Sequence, residues 1–424
     1  MKTKNDPQGS AVHQKRGWFW PLMFSASMLL TVLLVGYEAH LDERIVNKWR
    51  APMAGFLDGQ PDEKNFHKVL DQTVADLNSH KTLASTANFY CRIEKSVRDY
   101  LKQNNADLNH SHALMAIGIA ASQPYPNSSA RAALEKYCAL NYNAAGKLVM
   151  DLEGLDSFTA GTVFLEMYEQ TGQEFYRQGA EAMAHYLTGT YPKNKLGVMA
   201  YWADKPDFVL VDDKGMVCGF LIHYGVRFHD PEALNLGLRH LRAFLAHGVN
   251  LPDGLPFHAY DVSLDRKFGP TTWLRGSGWL AMGLGDALAY LPKDHEARAE
   301  LSSALVKMLE TLRGYQEPDG CWRWDVNNPM APLDTSGTAM IGYAIERALQ
   351  TGAIDPSWGG VSEKAMRGIL HHTHTNGLVD QALADCNGVG HYPCSFGPSN
   401  HTQGATLVFF SLVRQRLSAT SSAH

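Results

Sequence analysis

A chain of 424 residues that is 45% hydrophobic and 19% charged has enough apolar mass to bury a large core, which excludes a disordered or fibrous protein. Its 43 acidic and 38 basic residues give a formal net charge of -5, so there is no basic excess of the kind that marks a nucleic-acid binder. The six cysteines show no zinc-ligand spacing, and no metal site is expected from them.

Residues 18–37, WFWPLMFSASMLLTVLLVGY, carry no charge and match the ~20 residues that cross a bilayer. Lys2, Lys4, Lys15 and Arg16 precede this run, whereas Glu38, Asp42 and Glu43 follow it. The positive-inside rule then makes residues 1–17 a cytoplasmic segment, 18–37 a single-pass inner-membrane anchor, 38–75 a tether and 76–424 a periplasmic or extracellular body. A cleaved signal peptide is the alternative, but no small-x-small site follows the run cleanly. In an oxidising compartment Cys386 and Cys394, which flank NGVGHYP, are the favoured pair, and Cys218 reads as a buried thiol.

The body begins with helical patterns at NFYCRIEKSVRDYLKQ, SHALMAIGIAASQ and SSARAALEKYCAL. From Leu152 a plan then recurs: an acid or other polar group, an apolar helix rich in small residues, a turn, and an amphipathic second helix. Asp156 opens one such unit, Asp212-Asp213 the next, Trp273-Leu274-Arg275 a third and Asp334-Thr335-Ser336 a fourth. Helical hairpins at a fixed period are the signature of a stacked or closed array. Small, apolar first helices suit a crowded inner ring and amphipathic second helices an outer one, so the expected fold is all-α, an (α/α)6 toroid.

The centre of this plan is the stretch 211–279. Met216, Phe220, Leu221, Tyr224 and Phe228 give one helix a continuous apolar face, and Asp230-Pro231-Glu232 starts a second. The long connection PDGLPFHAYD returns to the end where Asp212 and Asp213 stand. Either acid has the composition of a helix cap, but with Asp156 they offer carboxylates from neighbouring inner helices, as glycoside chemistry requires. His258 is either a satisfied loop histidine or a site residue. Arg275 between Trp273 and Trp279 is either a cation–π contact or a fork for a sugar carboxylate, with the indoles as flat faces for the ring. Ser336 is either a cap residue or a substrate contact.

Five motifs in order, VDDKGM, GLPFHAYD, WLRGSGW, QEPDGCWRW and DTSGTAMIGYAI, resemble the unsaturated glucuronyl and rhamnogalacturonyl hydrolases, glycoside hydrolase families 88 and 105. The resemblance covers roughly Asp156 to Phe410. It implies Asp212 as catalytic acid/base with Asp156 as the second acid, and His258, Trp273 and Arg275 as contacts to the uronate. Asp213 stands where that family more often has a non-acidic residue, so either member of the adjacent pair is a candidate. The implied reaction hydrates the double bond of a 4,5-unsaturated uronyl residue at the non-reducing end of an oligosaccharide, without metal or organic cofactor. A polysaccharide lyase on the same toroid and a non-catalytic glycan-binding envelope protein are the competing expectations.

Overall fold

The computed structural model describes residues 55–79, 109–124, 128–386, 388–392 and 395–421. The apolar run 18–37, the helical pattern at 88–103, Cys91 and Cys394 lie outside these residues. Among the described residues no helix is long and apolar enough to cross a membrane. The described residues include twelve α-helices: α1 (Glu63–Ser79), α2 (His110–Ala121), α3 (Ser128–Asn141), α4 (Ala160–Thr171), α5 (Glu174–His185), α6 (Gly219–Phe228), α7 (Pro231–His247), α8 (Leu274–Tyr290), α9 (Arg298–Arg313), α10 (Thr335–Gln350), α11 (Trp358–His371) and α12 (Asn400–Ser421).

The even-numbered helices form a closed inner ring, each packed on the next and α12 packed on α2. The odd-numbered helices lie outside it, and α1 completes the outer layer against α12, α2 and α3. Burial follows from the two patterns read in the sequence. In α10 thirteen of sixteen residues are buried, from Thr335 to Ala348, because neighbours cover it on every side. Helix α9 buries only Leu301, Leu305, Met308, Leu309 and Leu312, one stripe at helical spacing. The (α/α)6 expectation therefore holds.

The tether expected over 38–75 is overturned in its second half. From Gly55 the chain belongs to the folded body, and α1 buries Phe66, Val69, Leu70 and Leu77. Phe66 meets Phe410 of α12 edge-on at 5.3 Å. The polar residues interleaved in EKNFHKVLDQTVADLNS hide an apolar stripe of period three to four.

Small residues let the inner helices approach. A β-carbon added at Gly283 of α8 would lie 2.3 Å from the Lys214 carbonyl oxygen, and one at Gly404 of α12 would lie 2.3 Å from the backbone of Leu114 and Met115 in α2. Outside the rings, β1 (Phe208–Leu210), β2 (Ala259–Asp261) and β3 (Arg266–Phe268) form a small antiparallel sheet. The pair β4 (Ala382–Leu383) and β5 (Phe396–Gly397) forms a second.

The ring closure predicts opposite outcomes for two glycine substitutions. Gly404→Ala forces backbone against backbone and is expected to lower stability by about 1–3 kcal/mol. Gly360→Ala, in α11 with open space around its β-carbon, is expected to raise it by about 0.5–1 kcal/mol. Thermal unfolding of the two variants checks both signs.

Candidate active site

The inner helices begin at one end of the ring, where their first turns are capped by Asn109 for α2 and Asp334 for α10. Strand β1 ends at this rim. Its register with β2 pairs Val209 with Tyr260 and Leu210 with Ala259, and the Val211 N–H donates to the His258 carbonyl at 2.8 Å. The next residue, Asp212, is thereby set against the His258 ring, with Oδ2 3.3 Å from Nε2. That contact lacks the alignment of a hydrogen bond, so Asp212 Oδ2 is screened from solvent without a donor. A buried acceptor left unpaired is costly, and such atoms mark places where a ligand completes the bonding.

His258 is only 3% exposed. Its ring lies 4.3 Å from the Trp273 ring, and its Nδ1 shares a 2.6 Å hydrogen bond with the Tyr392 hydroxyl. Tyr392 also packs on Trp273 at 5.3 Å and Trp324 at 5.8 Å. Burial foremost, with Cys386 nearby, pushes the Tyr392 phenol well above its ordinary value, so it stays protonated and is the donor to Nδ1. Nε2 is the ring nitrogen that faces Asp212. The Trp273 indole N–H is likewise buried without an acceptor. One unpaired acceptor and one unpaired donor thus belong to residues packed on the same His258 ring.

Asp156 stands in a short 3-10 turn, Leu155–Thr159, that leads into α4. Its Oδ2 is 3.9 Å from His110 Nδ1, and the His110 ring meets Trp279 edge-on at 5.7 Å. The Tyr201 phenol is raised by burial first, then by the negative charges of Asp156 and Asp212.

Four expectations are corrected. Asp213, adjacent to Asp212, turns the opposite way and is fully buried. It is bonded to Lys214 and lies 3.3 Å from His240 Nε2, in a charged cluster that does not open to the pit. Burial alone would raise its pKa, but Lys214 and His240 more than offset that and hold it below the usual carboxylate value. The Arg275 fork is occupied by the protein: Nη1 donates to Leu383 O at 2.7 Å and Ser336 Oγ at 3.2 Å, and Nη2 to Ala384 O at 3.0 Å. Arg275 thus staples the 382–386 segment to α8 and lies against Trp273 at 5.4 Å. Ser336 is fully buried and its hydroxyl donates to Asp334 Oδ1 at 2.6 Å, an internal link and not a substrate contact. Trp279 is 1% exposed and leaves no room for a β-carbon at Gly215, so it is a packing wedge and not an open face for a sugar.

The sequence reading missed Tyr392, Tyr201, His110 and His401. His401 Nε2 lies 3.4 Å from Arg275 Nη1 and its Nδ1 is 3.3 Å from Asp385 Oδ1. Burial and the Arg275 charge bring its pKa down to about 3, which favours the neutral ring. Cys218 is a buried free thiol as expected, and Cys386 is also free; its expected partner Cys394 lies outside the described residues.

The chain matches the family model "Glycosyl Hydrolase Family 88" over residues 88–415. It is 34% identical over 145 residues to Protein Atu3128 of Agrobacterium fabrum, a stretch that is 32% of this chain and 61% of that relative's length. It is 23% identical over 238 residues to the unsaturated rhamnogalacturonyl hydrolase YesR of Bacillus subtilis, covering 54% of this chain and 67% of YesR. The solved unsaturated glucuronyl hydrolase of Bacillus sp. GL1 superposes with a TM-score of 0.65 at 14% identity, covering 84% of this chain and 97% of that one.

The Asp213 cluster predicts a pH-dependent effect. Because its folded pKa lies below the unfolded value of about 3.9, its contribution is complete above that value and fades as pH falls through the folded pKa. Asp213→Asn leaves Lys214 buried without its counter-ion and is expected to cost about 3–5 kcal/mol at pH 7. Chemical denaturation from pH 7 down to the acid limb should show the gap between variant and wild type narrowing at low pH.

Proposed function

Because this chain is a member of glycosyl hydrolase family 88, we propose that it removes a 4,5-unsaturated uronyl residue from the non-reducing end of oligosaccharides by hydrating the vinyl ether. The observation that carries this reading is Asp212 Oδ2, a shielded carboxylate oxygen without a donor, in a pit whose indole N–H also lacks a partner. Asp212 gives its proton to C4 of the sugar, and the positive charge that develops at C5 is shared with the ring oxygen. Water adds at C5 and returns a proton to the same carboxylate, so one residue serves as acid and then base. The C5 hemiketal opens to a ketone, and the C1 hemiacetal so exposed expels the aglycone. His258, held by Tyr392, sets its Nε2 3.3 Å from Asp212 Oδ2 without the alignment of a hydrogen bond, which leaves that oxygen open to the sugar. Asp156, 3.9 Å from His110 Nδ1, is the second acid near the scissile sugar.

The absorbance of the conjugated double bond follows the reaction directly. Wild type is expected to bleach an unsaturated uronyl disaccharide, Asp212→Asn to be slower by about 10²–10⁴, and Tyr392→Phe to lose roughly 2–10-fold through one hydrogen bond. Undiminished bleaching by Asp212→Asn would reject the assignment. Absorbance that grows from an intact polyuronate would favour a lyase, and binding without turnover a glycan-binding component.

The uncharged run 18–37, with Lys2, Lys4, Lys15 and Arg16 before it, supports a further part of this reading: an inner-membrane anchor with the catalytic body on the outer side. Full chain in cells should stay with the membrane after alkaline carbonate washing and be digested by protease added to spheroplasts. Release by the wash, or protection from the protease, would contradict it.

A further inference from the structure

The loop between α9 and α10 carries QEPDGCWRW, whose Trp324 packs on Tyr392 of the site, but its Asp319 and Cys321 meet a different residue. With His372, the residue just after α11, they bring a carboxylate oxygen, a thiol sulfur and an imidazole nitrogen within 4.8 Å of one another. Among the described residues this is the one group of three or more His, Cys, Asp and Glu donors so gathered. The donors are held by the fold and do not merely meet at the surface. Asp319 Oδ1 accepts the Cys321 N–H at 2.9 Å, which aims Oδ2 at His372 Nε2, 3.5 Å away. Gly320 between them has φ +107, and a β-carbon there would lie 1.9 Å from the Lys364 carbonyl oxygen of α11. Cys321 is fully buried, and its sulfur would sit 2.9 Å from a β-carbon at Gly368, one turn before His372.

Metal–ligand lengths near 2.0–2.3 Å place tetrahedral donors about 3.2–3.8 Å apart. The Asp319–His372 separation is already in that range, and the sulfur needs a movement of no more than about 1 Å to join it. The mixture of thiolate, imidazole and carboxylate selects a borderline-soft divalent ion over magnesium or calcium, whose ligands are oxygens alone.

We infer that Asp319, Cys321 and His372 form a three-ligand site for a divalent ion of the zinc class, which clamps the α9–α10 loop to the end of α11. The thiol proton leaves to solvent as the sulfur ligates, and water takes the fourth position. The clamp lies at the root of the segment that carries Trp324 to Tyr392 and Asp334 to the Ser336 hydroxyl, so the ion would stiffen one wall of the pit without touching substrate.

Cobalt(II) is the probe. The full chain in detergent, reduced and stripped with chelator, is expected to take up one equivalent with a sulfur-to-cobalt charge-transfer band, and zinc should displace it and raise the melting temperature. Cys321→Ser should abolish the band. His372→Gln, at a half-buried position where folding is less at risk, should weaken binding by at least about 100-fold, beyond the roughly 10–100-fold cost of losing an outer partner. No sulfur-to-cobalt band in wild type, or a wild-type titration by His372→Gln, would overturn the site.

Discussion

The site depends on one short stretch of antiparallel pairing. Three residues of β1 against three of β2, continued by the Val211 N–H to the His258 carbonyl, fix where Asp212 lies relative to the His258 ring. A slip of one residue in this pairing would carry Asp212, two residues past the end of β1, away from the His258 ring. The buried cluster of Asp213, Lys214 and His240 opposes such a slip, because every alternative register would leave an uncompensated charge in the core. Two adjacent aspartates thus have separate tasks: one carries the proposed chemistry and the other anchors it.

The rings supply the rigid base for this arrangement. Close approach at Gly283 brings α8 onto the Lys214 backbone, within two residues of Asp212. The same helix begins with Trp273 and Arg275, and the Arg275 guanidinium grips the carbonyls of Leu383 and Ala384. That grip sets the segment from which Tyr392 reaches back to His258. Groups separated by more than a hundred residues therefore meet through a few directed hydrogen bonds on a helical frame whose own packing leaves them little freedom. The Arg275 staple also shapes recognition: with both terminal nitrogens engaged by the protein, a uronate carboxylate must find further donors, and the Trp273 N–H is one that has no acceptor in the protein.

Much of this was legible in the sequence. Hairpin periodicity gave the toroid, since burial repeats whatever each helix is called upon to touch, and the return of PDGLPFHAYD to the Asp212 end followed from helix count alone. Asp212, His258 and Trp273 do meet, and Asp156 stands beside His110. The strands were invisible because three residues are too few to show an alternating pattern, and Tyr392 was missed because its bond to His258 spans 134 positions. The fate of Asp213 did leave a signal: His240 sits on the apolar face of α7 between Leu236 and Phe244, where a polar residue needs a partner, and Lys214 stands beside an acid ahead of an apolar helix. The α1 stripe was equally present but broken up by charges, and it passed for a tether.

A crystal structure of Asp212→Asn soaked with an unsaturated uronyl disaccharide would show whether Asp212 meets the sugar beside His258, Trp273 and Tyr392. C4 of the unsaturated ring is expected about 3–3.5 Å from the residue-212 side chain, with the uronate carboxylate toward the Trp273 indole N–H. A sugar seated elsewhere on the ring, or one whose double bond faces Asp156 while residue 212 stays remote, would contradict it.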